Sequence, residues 1–205
     1  MVVLVAGGSG LVGSAIATAF EQKGEEVVRA NRAMVDFKDL NATKSLLKRI
    51  KPDLVIDAAA KVGGIGANSS HPVEFLSDNL QIQRNLMQAA HEADVEKFIF
   101  LGSSCIYPRD CAQPIKEEYL MTGPLEETNS AYAIAKIAGI ELINSYRKEY
   151  GTRWISLMPT NLYGPRDNFD LTASHVLPAF IRRFVEAAES GADKVTLWGS
   201  GTPLR

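Results

Sequence analysis

Apolar residues along the chain fall into two alternating patterns. Short runs rich in β-branched residues occur at Val2–Ala6, Glu26–Ala30, Leu54–Asp57, Lys97–Leu101 and Arg153–Met158. Such runs predict strands buried on both faces. Between them lie longer stretches with apolar positions three or four apart, the spacing of an amphipathic helix. Ser14–Lys23 is one, closed by Gly24. Asp39–Lys51 is another, with Leu40, Leu46, Leu47 and Ile50 in phase and Pro52 as its stop. His71-Pro72 opens a long helix that runs to about Ala93, and further helices are predicted around Tyr132 and over His175–Ser190. Lys61–Ser70, Arg109–Ser130 and Asp167–Ser174 read as loops, and Val195–Trp198 as a further short strand. Strands alternating with helices imply an α/β fold: a doubly wound parallel sheet with right-handed crossovers. Asn79, Gln81, Gln83 and Asn85 are many polar residues for a helix that covers a sheet. They predict that one face of that helix meets a partner helix.

Composition narrows the function classes. With 205 residues, 46% of them hydrophobic, the chain has the means to bury a substantial core. A net charge of −2 gives no bulk attraction to nucleic acid. The sequence has no apolar run long enough to span a bilayer. It opens directly on an apolar strand with no basic leader, which predicts no signal peptide and a cytoplasmic setting. Cys105 and Cys111 are its two cysteines, too few for a disulfide scaffold. No C-x-x-C motif or His/carboxylate pair stands at ligand spacing, so no metal site is predicted. No G-x-S-x-G nucleophile motif occurs either. His71 and His91 read as surface residues.

Candidate chemistry begins after the first strand. Gly7, Gly10 and Gly13 are spaced G-x-x-G-x-x-G between a strand and a helix, the setting a dinucleotide fingerprint requires. Glycines there let the backbone approach a pyrophosphate, and a helix N-terminus offers unpaired N–H groups and a positive dipole end. A generic glycine-rich turn is the alternative. NAD-binding versions place an acidic residue at the end of the second strand to hold the ribose 2′-hydroxyl. Here Arg29 and Arg32 stand there instead, and a guanidinium suits a 2′-phosphate, so NADP is the expected cofactor. A solvated basic turn is the alternative. Ala58-Ala59-Ala60 after the third strand would leave room for the cofactor or simply pack closely.

Tyr132 and Lys136 lie one helical turn apart and so share a face. A free phenol, with a pKa near 10, is a poor acid or base at neutral pH. A neighbouring ammonium favours the phenolate, which makes the pair a tunable proton donor. By spacing alone the pair also fits a solvated helix face. Ser103 and Cys105 follow the fourth strand at its carboxyl end, where ligands of doubly wound sheets bind. Cys111 sits in the following loop and reads as incidental.

Taken together, Gly7-x-x-Gly10-x-x-Gly13, Ser103 and Tyr132-x-x-x-Lys136 resemble the extended short-chain dehydrogenase/reductases. A finer resemblance rests on Ala60–Ile65, Leu101–Pro108, Tyr132–Gly139 and Pro159–Pro165. These stretches are similar to the family's GDP-4-keto-6-deoxy-D-mannose 3,5-epimerase/4-reductases, and the likeness runs the length of the chain. The resemblance implies a Rossmann-fold NADP-binding domain over residues 1–165 and the start of a substrate lobe over 166–205. Members of that family continue for roughly another hundred residues, about one small domain, so a truncated substrate lobe is expected. It implies that Cys105 is the base and His175 the acid for inversion at C3 and C5. Tyr132 then protonates the C4 oxygen, Lys136 tunes Tyr132 and holds the nicotinamide ribose, and Ser103 hydrogen-bonds the C4 oxygen. Cofactor contacts are implied for Gly7, Gly10, Leu11, Val12, Gly13, Arg32, Ala58, Ala60, Lys136, Pro159, Asn161, Leu162 and His175. Lys61, Arg183, Trp198 and Arg205 are implied to contact a GDP-sugar. A homodimer through the helices carrying Asn79–Ala90 and Tyr132–Ser145 is implied too. Two classes of function remain at this point: a nucleotide-sugar epimerase/reductase, with sister epimerases and dehydratases beside it, or a catalytically silent NADP-binding module.

Overall fold

The computed structural model of the chain describes residues 1–171 and 173–197. The strands β1 (Val2–Ala6), β2 (Glu26–Ala30), β3 (Leu54–Asp57), β4 (Lys97–Leu101) and β5 (Arg153–Leu157) form one parallel sheet in the order β2-β1-β3-β4-β5. The central strands β1 and β3 are buried almost throughout, which is why their sequences are continuous apolar runs. The chain moves outward from β1 to β2 and then crosses back to β3, so the winding reverses between β1 and β3. Ligands of such sheets bind beyond the carboxyl ends of the strands at that reversal. The register sets Ala30, Ala6, Asp57 and Phe100 side by side in one row at those ends.

Helices cover both faces, as the doubly wound reading predicts. On one side α1 (Leu11–Gln22) packs Ala17 on Val3, Val5, Leu54 and Ile56. On the other side α2 (Leu40–Ile50), α4 (Pro72–Glu92) and α5 (Ser130–Tyr150) bury Leu4, Val55, Phe98, Phe100 and Trp154. Alternate residues of β3 and β4 thus serve the two cores, as the pleat requires. Gly139 lets α5 approach β4, since a Cβ there would lie 2.4 Å from the Phe100 ring. A sixth helix, α6 (Val176–Ser190), leaves Ile181, Phe184 and Val185 about half exposed.

Three readings from the sequence are corrected. Lys61–Ser70 is not all loop: it contains α3 (Ile65–Ser70), entered at Gly64 and tied by Asn68, whose Nδ2 donates to the carbonyls of Gly63 (2.8 Å) and Gly64 (3.2 Å). The glycines masked a short helix whose hydrogen bonds are local. Residues 195–197 form no strand, and Trp198 lies outside the described residues. His91 is half-buried, with its ring centroid 4.3 Å from that of Tyr150 and 5.2 Å from that of Tyr146. As predicted, one face of α4 meets a helix, α5: Gln83 Nε2 donates to Ala135 O at 2.7 Å. Asn79, Gln83 and Asn85 are buried, and Asn85 Nδ2 donates to Phe37 O (3.0 Å) and Lys38 O (2.9 Å). Only Gln81 of the set faces solvent.

Candidate active site

The loops at the carboxyl ends of the strands interlock. Gly7 takes φ +76°, and a Cβ there would lie 2.6 Å from Ala58 O. Only glycine fits that left-handed turn against the backbone after β3. Gly13 sits inside α1, where a Cβ would lie 2.2 Å from Gly7 O. That close contact seats the first turn of α1, which begins at Leu11, against the glycine loop. Gly10 differs from both: a Cβ there would meet nothing nearer than Gly7 O at 3.5 Å, an ordinary contact. The protein's own packing does not require glycine at that position. As the N-cap of α1, Gly10 supplies no side chain to the first N–H groups of the helix. Open space above Gly10 and uncapped donors at Leu11, Val12 and Gly13 fit a diphosphate. The loop after β5 closes this corner, with Gly164 placed so that a Cβ would lie 3.5 Å from Leu11 Cδ1. On that loop Pro159 is half-buried, and Asn161 and Leu162 are exposed.

Of the two guanidiniums at the end of β2, one is already engaged. Arg29 forks onto Glu21, with Nε to Oε1 at 2.8 Å and Nη2 to Oε2 at 2.6 Å, and Nη2 also reaches Thr18 Oγ1 at 2.9 Å. Arg29 is thus already paired with α1, an engagement the joint reading of Arg29 and Arg32 did not include. Arg32 is exposed and has no ion-pair partner among the described residues. Ala58, Ala59 and Ala60 are half-buried, and Ala58 N–H extends the sheet by donating to Ala6 O at 3.0 Å. Lys61 is held through its backbone: its N–H donates to Asn79 Oδ1 (2.8 Å), and Asn79 Nδ2 donates to its carbonyl (3.0 Å). Its ammonium is paired with Glu74.

After β4 a single 3-10 turn, Ser104–Ile106, presents Ser103 and Cys105. The Cys105 N–H donates to Ser103 Oγ at 3.3 Å, and both side chains are half-buried. Opposite them on α5 stands Tyr132. Burial pushes its phenol above the ordinary value, the Cys105 thiol and Asp57 add to the rise, and a hydrogen bond with Ser103 opposes it. The net effect on Tyr132 is a rise, where the spacing predicted that Lys136 would lower it. Lys136 Nζ lies 5.9 Å from the Tyr132 ring centroid and is turned inward, donating to Leu101 O at 2.8 Å and lying 4.6 Å from the Phe100 ring centroid. Burial lowers the pKa of Lys136, and Asp57 works against that fall. A phenol held above its usual pKa remains protonated at neutral pH, which suits a proton donor.

The segment before α6 joins the same end of the sheet. Gly64 N–H donates to Ala173 O at 2.9 Å, and a Cβ at Gly64 would lie 2.6 Å from Ser174 O. His175, the N-cap of α6, is exposed beside that seat. Further along α6, Arg183 Nη1 donates to Thr196 O at 2.9 Å. Trp198 and Arg205 lie outside the described residues.

Two residues of this region escaped the sequence reading. Asn79 fixes the chain at Lys61, as described above. Asp57 ends β3 fully buried, and its pKa is pushed up to about 6, chiefly by burial, with Lys136 and the Ala59 N–H opposing. A lone carboxylate closing the apolar run Leu54-Val55-Ile56, directly before three alanines, was the signal available in the sequence.

Residues 3–205 match the profile of the NAD dependent epimerase/dehydratase family. The chain belongs to this family. Among curated relatives, it is 53% identical over 201 residues to a GDP-L-fucose synthase of Sinorhizobium fredii, covering 98% of this chain and 64% of that one. It is 50% identical over 204 residues to the GDP-L-fucose synthase of Escherichia coli, covering 99% and 64%. Among solved structures, a GDP-L-fucose synthetase from Naegleria fowleri bound to NADP superposes with a TM-score of 0.88 at 35% identity, over 100% of this chain and 67% of that one. The chain thus spans a little under two thirds of the length of these curated relatives.

A substitution at Gly10 separates cofactor fit from fold. Gly10→Ala is expected to leave the melting temperature unchanged, because the protein leaves space there and φ is −77°. NADPH affinity, read by fluorescence titration, is expected to drop. Overpacking at such an approach costs about 1–3 kcal/mol, or about 5- to 150-fold in affinity. Unchanged affinity would place the pyrophosphate elsewhere.

Proposed function

We propose that this chain carries the cofactor site and the acid–base groups of an NADPH-dependent GDP-L-fucose synthase. The whole protein would convert GDP-4-keto-6-deoxy-D-mannose to GDP-L-fucose by inversion at C3 and C5, followed by reduction at C4. The observation that carries the reading is the coupling of Ser103, Cys105 and Tyr132 below the loop after β4, in a chain half identical to two enzymes of that name. The C4 ketone acidifies the hydrogens on both neighbouring carbons, so one acid–base pair serves both inversions. Cys105 takes the proton from one face, and His175 returns one from the other. Ser103 then hydrogen-bonds the C4 oxygen, where charge develops, and the neutral Tyr132 phenol delivers its proton there. Bound NADPH supplies the hydride to C4. Gly10 and the α1 N-terminus would hold its diphosphate, and Arg32 its 2′-phosphate. Lys61, Arg183, Trp198 and Arg205 are assigned to the GDP-sugar, residues 1–165 to the cofactor domain and 166–205 to the start of the substrate lobe. The setting is cytoplasmic, with no membrane or nucleic-acid partner. Incubating the whole protein with the keto sugar and NADPH tests the reading: GDP-L-fucose is the expected product. A different hexose configuration would assign a sister activity, and NADPH binding without turnover would reduce the role to cofactor binding.

Arg32 provides a narrower test. NADPH is expected to bind more tightly than NADH, and Arg32→Ala is expected to erase most of that difference. A charge-assisted contact contributes about 1.5–3 kcal/mol, or about 10- to 150-fold. Equal affinities in the unsubstituted protein would refute the assignment.

The assembly proposed is a homodimer through the outer faces of α4 and α5. On those faces Gln81 and Arg84 are exposed and Ile134 retains 48% of its surface. Light scattering at micromolar concentration is expected to give the mass of two chains, and Ile134→Asp is expected to give the mass of one. A single-chain mass for the unsubstituted protein would remove the dimer.

A further inference from the structure

The buried layer between the sheet and the α4–α5 pair contains a carboxylate that the proposed mechanism does not use. Along β3, Leu54 and Ile56 face the α1 side while Val55 faces α4 and α5. Alternation therefore turns Asp57 toward α4 and α5. Its neighbour in register is Phe100, on the same face of β4. The Lys136 ammonium lies 4.6 Å from the centroid of that Phe100 ring and is bonded to the next carbonyl, Leu101 O. Leu101 takes one of the three N–H donors of Lys136. Two acceptors in the same layer have no hydrogen-bond partner among the described residues: Asp57 Oδ2 and Gln83 Oε1. The second also sits at the Phe100 ring, since a Cβ built at Gly139 would lie 2.4 Å from Phe100 Cζ and 2.9 Å from Gln83 Oε1. Lys136 and Gln83 thus meet at one ring, and Asp57 lies beside that ring's residue in register without a direct ion pair to Lys136.

We propose that Asp57 is a positioning residue for the Tyr132–Lys136 pair, a buried counter-charge that keeps the Lys136 ammonium protonated and in place beneath the site. The proposal rests on the acid–base reading of that pair given above. The titratable groups acting with Asp57 are Lys136 and Tyr132, both on α5. On α4 the buried polar side chains over the sheet are amides, Asn79, Gln83 and Asn85. Cys105, after β4, acts on Tyr132. Two opposite charges buried together depend on each other, because removing one strands the other. Asp57 binds its proton more tightly in the fold than in the unfolded chain. Its protonated form therefore adds stability that is complete below about 3.8 and is lost as pH rises through about 6. Above that value the carboxylate is charged, and its attraction to Lys136 offsets part of the loss.

The experiment is a double-mutant cycle in the whole protein: Asp57→Asn, Lys136→Met, both and neither, melted at pH 7.5 and pH 5. At pH 7.5 Asp57→Asn is expected to shift Tm less favourably in the native background than beside Lys136→Met, where the buried carboxylate has lost its counter-charge. The non-additivity expected is about 2–4 °C, fading at pH 5 where Asp57 is protonated. Additive shifts at pH 7.5 overturn the proposal. If Lys136→Met does not fold, Lys136→Gln takes its place in the same cycle, and additive shifts at pH 7.5 again overturn the proposal. Where the keto sugar is turned over, Asp57→Asn is also expected to move the alkaline limb of the kcat profile to lower pH, with NADPH affinity unchanged. A purely structural Asp57 would leave that limb in place. The Tm cycle needs no substrate, so a coupled pair in a protein that reduces no keto sugar would support the counter-charge while refuting the proposed function.

Discussion

Tyr132→Phe is expected to abolish C4 reduction almost completely while leaving proton exchange at C3 and C5 intact. The substitution removes one oxygen from a ring that is half-buried on α5 opposite Ser103. No hydrophobic contact is lost, so the fold should persist. What disappears is the proton that must reach the C4 oxygen as that carbon is reduced. A positioned acid contributes about 10²–10⁴-fold, and kcat for NADPH oxidation is expected to fall by that factor. The C4 ketone still acidifies its neighbours, so solvent deuterium should enter C3 and C5 at the native rate. NADPH affinity should not change. If reduction continued at more than a tenth of the native rate, proton delivery would belong to another group, with Ser103 the nearest candidate. The raised pKa of Tyr132 adds a pH expectation. Burial keeps the phenol neutral across the physiological range, so no loss of rate traceable to Tyr132 is expected as pH rises from 7 to 9.

Most of the architecture was legible because its causes are local or periodic. Strands such as Val2–Ala6 and Leu54–Asp57 sit in the middle of a parallel sheet and must be apolar on both faces, and an uninterrupted apolar run carries that signal without ambiguity. The glycine loop was legible for a similar reason: Gly7 and Gly13 are required by backbone contacts between segments close in sequence. What stayed hidden depends on long-range partners. Arg29 and Arg32 look equivalent in the sequence, yet only a folded α1 reveals that Glu21 lies where Arg29 can fork onto it. The α4 amides suggested a partner helix, and Gln83 Nε2 is bonded to Ala135 O of α5 at 2.7 Å, but Asn79 is bonded to the loop at Lys61; these partners lie 52 and 18 residues away. The i, i+4 spacing of Tyr132 and Lys136 was right about the shared helix and wrong about the direction of the net shift on Tyr132. Spacing places two Cβ atoms, whereas the direction of a lysine head depends on acceptors from other elements, here Leu101 O. His175 and Cys105 had no periodic signal of their own. Position after the fourth strand marked Cys105 and resemblance alone marked His175, and the loops after β3 and β4 bring both to one end of the sheet.

Cys105→Ser is expected to uncouple inversion from reduction. Thiols as a class are far more acidic than alcohols and come close to the range a general base needs, whereas a serine hydroxyl is far outside it. The replacement keeps the size and the 3-10 turn, whose Cys105 N–H still reaches Ser103 Oγ. Deuterium exchange at C3 and C5 is expected to slow by about 10²–10⁴-fold. Tyr132, Ser103 and the cofactor loop are untouched, so reduction continues on sugar that has not been inverted. The product should therefore shift toward 6-deoxyhexoses of the uninverted configuration, visible by NMR of the released sugar. A half-buried free cysteine with no chemical role would behave differently. Such a residue acts as a small hydrophobe, and its replacement by serine would lower Tm slightly without altering product stereochemistry. The two roles are thus separated by configuration and not by rate alone. Native GDP-L-fucose formed at an undiminished exchange rate would remove Cys105 from the chemistry and leave His175 without its partner.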